Sequence, residues 1–334
     1  MLWGWVHHLR QSVLSRRGCR NQWPAGCFPP HHSFMFSLLL LLLGLLAGLA
    51  LLVGMASYLL YSYEVASTSR GASARRPPIP RAIVRGIAMS MTGQILVTLT
   101  YPLGLWERLW FSPAGGHSVT DDNPPLLLVH GLYHNASAWM AYRKWLREAG
   151  FTNVYAFSYS SWRTDFDTLV LELDDRIAKL EKAFPGTAPV LVGHSLGGLI
   201  IRGWIKRFGG CRRVRAVLTL GTPHQGSKLA RLGFGRLCRS LAFRGPLVRA
   251  LEKDEPAVRV PAVALYSGID NMVLPVEGLK PRATGWRLHE VHPVSHIFML
   301  YSKKTFDEFH CRLKETLAGG CPVTPQTGRA GDTV

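Results

Sequence analysis

From Ser33 to Tyr63 the chain carries no charged residue, and Leu38 to Leu60 is almost entirely Leu, Ala, Gly and Val. About 20 apolar residues cross a bilayer core, so this run predicts a membrane-spanning helix. A secretory signal has a shorter apolar region, roughly 7–15 residues, followed by a cleavage site. A second, weaker apolar stretch runs from Gly86 to Trp106 and contains Gln94, several threonines and Pro102. Its pattern fits a second span, a re-entrant piece or an interfacial helix equally.

After Asp121-Asp122-Asn123-Pro124-Pro125 the pattern changes to short apolar runs alternating with amphipathic ones. Strands are predicted at Leu126–His130, Asn153–Phe157, Pro189–Gly193, Val214–Leu220, Ala262–Ser267 and Trp286–Val291. Helices are predicted from a Ser137 cap through Glu148, at Asp165–Phe184, at Leu196–Phe208 and near Phe298–Leu313. In the second of these, Phe166, Leu169, Val170, Leu173, Ile177 and Leu180 fall on one face. Strand–helix alternation predicts an α/β fold, a mostly parallel sheet with helices on both faces.

Composition adds a charge argument. The 334 residues carry a net charge of +18, with 47% hydrophobic and 18% charged residues, enough for a sizeable core. Such a balance points to anionic partners, nucleic acid or lipid. Residues 1–85 hold nine arginines and one glutamate around the long apolar run, which favours the membrane. No zinc-finger spacing, RNP-like motif or Walker loop is present, so no nucleic-acid partner is expected. Arg70, Arg75, Arg76, Arg81 and Arg85 between the two apolar stretches would lie in the cytoplasm by the positive-inside rule. Arg10, Arg16, Arg17 and Arg20 on the other flank oppose that vote. Met35, at the mouth of the apolar run, is an alternative start that would make the first residues a gene-model artefact. Six cysteines, Cys19, Cys27, Cys211, Cys238, Cys311 and Cys321, form no CxxC pair, so no cysteine metal site is expected. Free thiols and one or two bridges are both open.

The chemistry centres on Gly193-His194-Ser195-Leu196-Gly197. A serine hydroxyl needs a base, a carboxylate to orient it, and donors for the oxyanion. Gly-x-Ser-x-Gly between a strand and a helix supplies a strained turn that exposes the serine. Here Pro189–Val192 precede it and Leu199–Lys206 follow it, as the motif requires. Val129-His130-Gly131-Leu132 ends the first strand, and the Leu132 and Leu196 N–H groups are the expected oxyanion donors.

With Leu220-Gly221-Thr222-Pro223-His224-Gln225-Gly226-Ser227 added, the chain resembles the α/β-hydrolase superfamily. It is most similar to bacterial triacylglycerol lipases and GPI-inositol-deacylase-like lipases, over about 124–301. The resemblance implies the chain order Ser, then Asp or Glu, then His. It assigns Ser195 as nucleophile, Asp270 as acid with Glu277 the alternative, and His296 as base with His292 the alternative. His224 and His194 are expected to be structural. Lys228–Leu251 has six basic and no acidic residues interleaved with Leu229, Leu232, Phe234, Leu237, Leu241, Phe243, Leu247 and Val248. The resemblance implies a cap over the site here, at about 228–256, and a basic amphipathic segment suits a lipid surface. Some lipases of this group bind structural calcium. No aspartate lies between Asp270 and Asp307, so neither a metal nor another cofactor is expected. Asn135-Ala136-Ser137 matches a glycosylation pattern that is common by chance.

These readings predict a membrane-anchored serine ester hydrolase, a lipase or esterase whose partners are a lipid or ester substrate and the membrane. The bacterial inner membrane is the expected location. An acyltransferase using the same residues and an inactive membrane scaffold are the alternatives. The expected division is a tail at 1–33, a transmembrane helix at 34–63, a basic linker with the second apolar segment at 64–123, a hydrolase domain at 124–315 and a flexible tail at 316–334.

Overall fold

The computed structural model describes residues 30–68, 80–113, 123–209, 213–253 and 258–319. The tail before residue 30, Arg70, Arg75 and Arg76, four of the cysteines and the end of the chain lie outside the described residues. Helix α1 spans Pro30–Thr68 and α2 spans Pro80–Thr100. Both are long and apolar enough to cross a membrane, by length and composition. By contacts the chain divides into Met1–Leu46 and Ala47–Val334. In the first unit, the α1 side chains Phe34, Met35, Phe36, Leu39–Leu42 and Leu45 are exposed. The second unit contains the rest of α1, all of α2 and the sheet.

That sheet has six strands: β1 (Leu126–Val129), β2 (Val154–Phe157), β3 (Val190–His194), β4 (Ala216–Leu220), β5 (Ala262–Ser267) and β6 (Trp286–Val291). Their order is β2-β1-β3-β4-β5-β6, and every pair is parallel. Parallel strands covered on both faces read as unbroken apolar runs, which is why Leu126-Leu127-Leu128-Val129 shows no alternation. Leu126, Leu128, Val190, Val192 and Leu218 pack into one core cluster, and Leu127, Val129, Leu191 and Val217 into another. Removing a leucine side chain of this kind from water contributes about 1.5–3 kcal/mol.

Helices α3 (Met140–Glu148), α4 (Phe166–Ala183) and α5 (Leu196–Phe208) connect the strands. Between β4 and β5 lie a 3-10 turn at Lys228–Leu232, α6 (Gly235–Ser240) and α7 (Pro246–Glu252), and α8 (Lys303–Ala318) closes the described fold. The alternating pattern located these elements within a few residues. The start of the first connecting helix differs. Ser137 does not cap it; Asn135 caps the 3-10 turn ahead of it, its Oδ1 accepting from both Ser137 N (3.1 Å) and Ser137 Oγ (2.6 Å). A 3-10 turn, Ala136–Trp139, precedes α3. The predicted last helix is likewise split, into a 3-10 turn at Ile297–Leu300 and α8.

Asn135 also donates to the Tyr101 carbonyl (2.8 Å) just past α2 and is buried, so in the folded chain both ends of its amide are bonded. Asn135→Ala removes a cap and leaves the buried Ser137 hydroxyl without its acceptor. A loss of roughly 1–3 kcal/mol is expected, read as a lower thermal midpoint in detergent; an unchanged midpoint would contradict it.

Candidate active site

The carboxyl ends of parallel strands are where open α/β sheets bind ligands, and the chemistry-bearing residues collect there. Ser195 sits between β3 and α5 with φ 53° and ψ −122°, a conformation that an L-residue rarely adopts. Its N–H donates to the Leu220 carbonyl (2.9 Å) at the end of β4. The flanking glycines make this turn possible. A Cβ on Gly197 would stand 2.2 Å from the Val129 carbonyl oxygen, and one on Gly193 2.5 Å from the Gly198 nitrogen.

Asp270 follows β5 and is fully buried. Its Oδ1 accepts from the N–H groups of Met272 (2.8 Å) and Val273 (3.0 Å), and its Oδ2 lies 2.7 Å from His296 Nδ1. A carboxylate held by two backbone donors keeps one oxygen for the imidazole and so fixes the ring. Gly221, at the end of β4, lies beside this pair. Ser195 and His296 line one cavity of about 290 Å³ together with Gly131, Leu132, Leu229 and Met272.

The alternatives fall elsewhere. Glu277 is exposed in the short turn Val276–Leu279. His292 faces away from the cavity, with Nδ1 2.9 Å from the Glu308 carboxylate that also holds His289 (3.2 Å).

The expected oxyanion turn is braced by His130. Tyr159 N–H donates to His130 Nε2 (3.1 Å), so the proton is on Nδ1, which donates to the Gly131 carbonyl (2.8 Å). The Tyr159 hydroxyl donates to the His130 carbonyl (2.6 Å), and the two rings stack with centroids 3.9 Å apart. Beyond the turn, the Tyr133 N–H is taken by Ser161 Oγ (3.0 Å) and the His134 N–H by the Gly131 carbonyl (3.3 Å). Among the described residues the Leu132 N–H has no such partner. Leu196 opens α5, where first-turn N–H groups lack an intrahelical acceptor.

His194 does more than pack: its Nε2 lies 3.2 Å from the His296 carbonyl. His224 Nε2 meets Thr219 Oγ1 (3.1 Å), and the buried Arg202 donates to the His224 carbonyl (2.5 Å). The segment after the Gly-Thr-Pro-His run covers the cavity with Leu229, Ala230, Cys238 and Leu241, while Leu232 and Phe234 are 70% and 76% exposed. Trp162, also exposed, stacks on Tyr133, whose hydroxyl donates to the Phe234 carbonyl. Cys238 is a free buried thiol and Cys311 a free exposed one.

Asn271 was not singled out from the sequence. It is fully buried, and its Oδ1 accepts the His296 N–H (3.1 Å). Its amide partners lie 181 and 214 positions away, so no local pattern marks it.

With this geometry in place, the comparisons are consistent. Residues 126–267 match the family model of the Alpha/beta hydrolase family. The mature form of Bacillus licheniformis lipase BlEst2 aligns at 19% identity and TM-score 0.51, covering 61% of this chain and 97% of that one. Aspergillus fumigatus lipase B aligns at 17% identity and TM-score 0.48, covering 58% and 53%. Residues 126–267 thus match the α/β-hydrolase family, and the chain shares the α/β-hydrolase fold of the BlEst2 lipase.

Burial dictates a pH dependence of stability. Burial holds His130 neutral, its pKa pushed down to about 3, and holds His194 and His224 well below the usual histidine range. The charges of His296 and His134 add to the effect on His194, and the Arg202 cation to that on His224. As pH falls below about 6.5 the unfolded chain takes up protons that these folded rings refuse. Each ring then removes about 1.4 kcal/mol of stability per pH unit, down to its folded value. The thermal midpoint is expected to be level from pH 8 to 7 and to fall steadily from pH 6.5 to 4; a midpoint constant down to pH 5 would contradict this.

Proposed function

We propose that the protein is a serine ester hydrolase acting on lipid-like carboxylic esters. The observation that carries this is the buried Asp270 carboxylate 2.7 Å from His296, with His296 and Ser195 lining one cavity. In this reading Ser195 Oγ attacks the ester carbonyl while His296 Nε2 takes its proton. Asp270 holds the Nδ1–H tautomer and stabilises the imidazolium. The Leu132 and Leu196 N–H groups receive the oxyanion. His296 then returns the proton to the leaving alcohol, and water, activated by the same ring, releases the acid from Ser195. Loss of an alcohol and gain of water leave the enzyme unchanged.

The apolar lining supports an acyl chain as the bound group. Leu229, Leu241, Met272, Val273 and Ile297 surround the space beside Ser195. The exposed apolar residues of the cap, Leu232 and Phe234, stand among Arg231, Arg236 and Arg239, which suits an anionic lipid surface. Together with two helices of membrane-spanning length, these features support a membrane-bound enzyme whose substrate is presented at the bilayer.

Hydrolysis of an ester series of increasing acyl length is the test. Wild type is expected to prefer medium or long chains over acetate. Ser195→Ala is expected to lose roughly 10³–10⁶-fold in kcat and Asp270→Asn roughly 10³–10⁴-fold. Equal rates in wild type and Ser195→Ala would sink the proposal.

A further inference from the structure

The loops that carry Asp270 and His296 are built against the two apolar helices as well as against the sheet. On α1, the Tyr61 hydroxyl donates to the Gly268 carbonyl (2.8 Å) and the Tyr58 hydroxyl to the Ile269 carbonyl (3.1 Å), the two residues before Asp270. On α2, Gly93 faces the His296 loop so closely that a Cβ there would stand 3.0 Å from the Phe298 nitrogen and 3.2 Å from Ile297 Cγ2. The helices also meet each other closely: a Cβ on Gly86 of α2 would overlap the Tyr58 ring of α1.

Asn271 lies where these contacts converge. Its Nδ2 is 2.7 Å from Ser57 Oγ on α1 and 3.1 Å from Ser90 Oγ on α2. Ser57 Oγ donates its own proton to the Gly54 carbonyl (3.0 Å), so toward Asn271 it is an acceptor. Ser90 Oγ also accepts from Gln94 Nε2 (3.1 Å), and that amide reaches toward the Ala50 carbonyl on α1 (3.4 Å). The two serine acceptors fix the direction of the Asn271 amide: donors toward the helices, carbonyl toward the His296 N–H. All three side chains are buried, Asn271 at 0%, Ser57 at 5% and Ser90 at 1% exposure. Each unmet group would therefore cost the full desolvation penalty.

We propose that Asn271 is a positioning residue, and that Ser57 and Ser90 are the anchor through which the helix pair sets the His296 backbone relative to Ser195. The apolar helices then belong to the machinery of the site and are more than a tether. The proposal rests on the reading of Ser195, His296 and Asp270 as the hydrolytic set. A side chain with one acceptor and two donors is required at this position. Alanine removes both, and aspartate turns the donor edge into an acceptor facing two oxygens that already serve as acceptors. Misplacement of a reacting group by about 1 Å costs on the order of 10²-fold in rate.

The experiment uses the full chain in detergent micelles or lipid nanodiscs, with active sites titrated by a fluorophosphonate and ester hydrolysis measured per titrated site. A purely structural role would lower the number of titratable sites and leave the rate per site unchanged. Positioning lowers kcat per titrated site. Asn271→Ala and Asn271→Asp are expected to lose roughly 10–100-fold in kcat per site, with KM within about threefold. The double variant Ser57→Ala/Ser90→Ala is expected to lose in the same sense, by more than about threefold. Ser62→Ala, on α1 but bonded to the Tyr58 carbonyl, is the control and stays at the wild-type rate. A loss of threefold or less per site in the Asn271 variants would overturn the proposal. Should those variants fail to fold, a wild-type rate per site in the serine double variant overturns it instead. Absence of labelling in the wild type would overturn the hydrolase reading beneath it, a result that no Asn271 variant can mimic.

Discussion

A serine held at φ 53° between β3 and α5 is the constraint around which this protein is arranged. The conformation is costly for any residue with a Cβ, of order 1–3 kcal/mol, and it persists because its surroundings leave no other arrangement. The Ser195 N–H is committed to the Leu220 carbonyl, and α5 starts at the next residue. Gly197 lies against the Val129 carbonyl, where any side chain would collide. The turn thereby locks β1, β3, β4 and α5 together at one end of the sheet. The hydroxyl it presents stands where the ends of β5 and β6 deliver Asp270 and His296.

Around that turn the fold separates two kinds of histidine. His296 is paired with a carboxylate and borders the cavity. His130, His194 and His224 are buried, kept neutral by desolvation, and used as hydrogen-bonding braces. His130 fixes the Gly131 turn, His194 touches the His296 carbonyl, and His224 secures the loop after β4. A neutral imidazole has one donor and one acceptor at a fixed angle, which suits a brace between backbone groups. A cluster of buried histidines around the sheet's carboxyl ends therefore does not imply as many proton carriers.

The apolar runs of the strands and the three short motifs made the α/β-hydrolase fold legible in the sequence, because parallel strands buried on both faces leave a continuous hydrophobic signature. The position of Ser195 was equally legible, since its turn demands glycine at fixed offsets. Asp270 and His296 followed from chain order once the superfamily was suspected, and the structure brings them together. Three features were hidden for physical reasons. Asn135 displaced Ser137 as the cap because a side chain two residues upstream could satisfy both the N–H and the hydroxyl of Ser137. Asn271 has partners on helices far away in the chain. The packing of α1 and α2 against the Asp270 and His296 loops was invisible because both helices are apolar by composition, and two buried serines, Ser57 and Ser90, carry the contact to Asn271.

The account stands most directly on the covalent role of Ser195. Incubation of the full-length protein with a slowly turned-over ester, followed by acid quench, proteolysis and mass spectrometry, measures it. The account predicts an acyl mass increment on the peptide that contains Gly193–Gly197, located on Ser195 and absent from Ser195→Ala. Turnover of the ester with no adduct on that peptide, or with an adduct on another residue that Ser195→Ala retains, would contradict it.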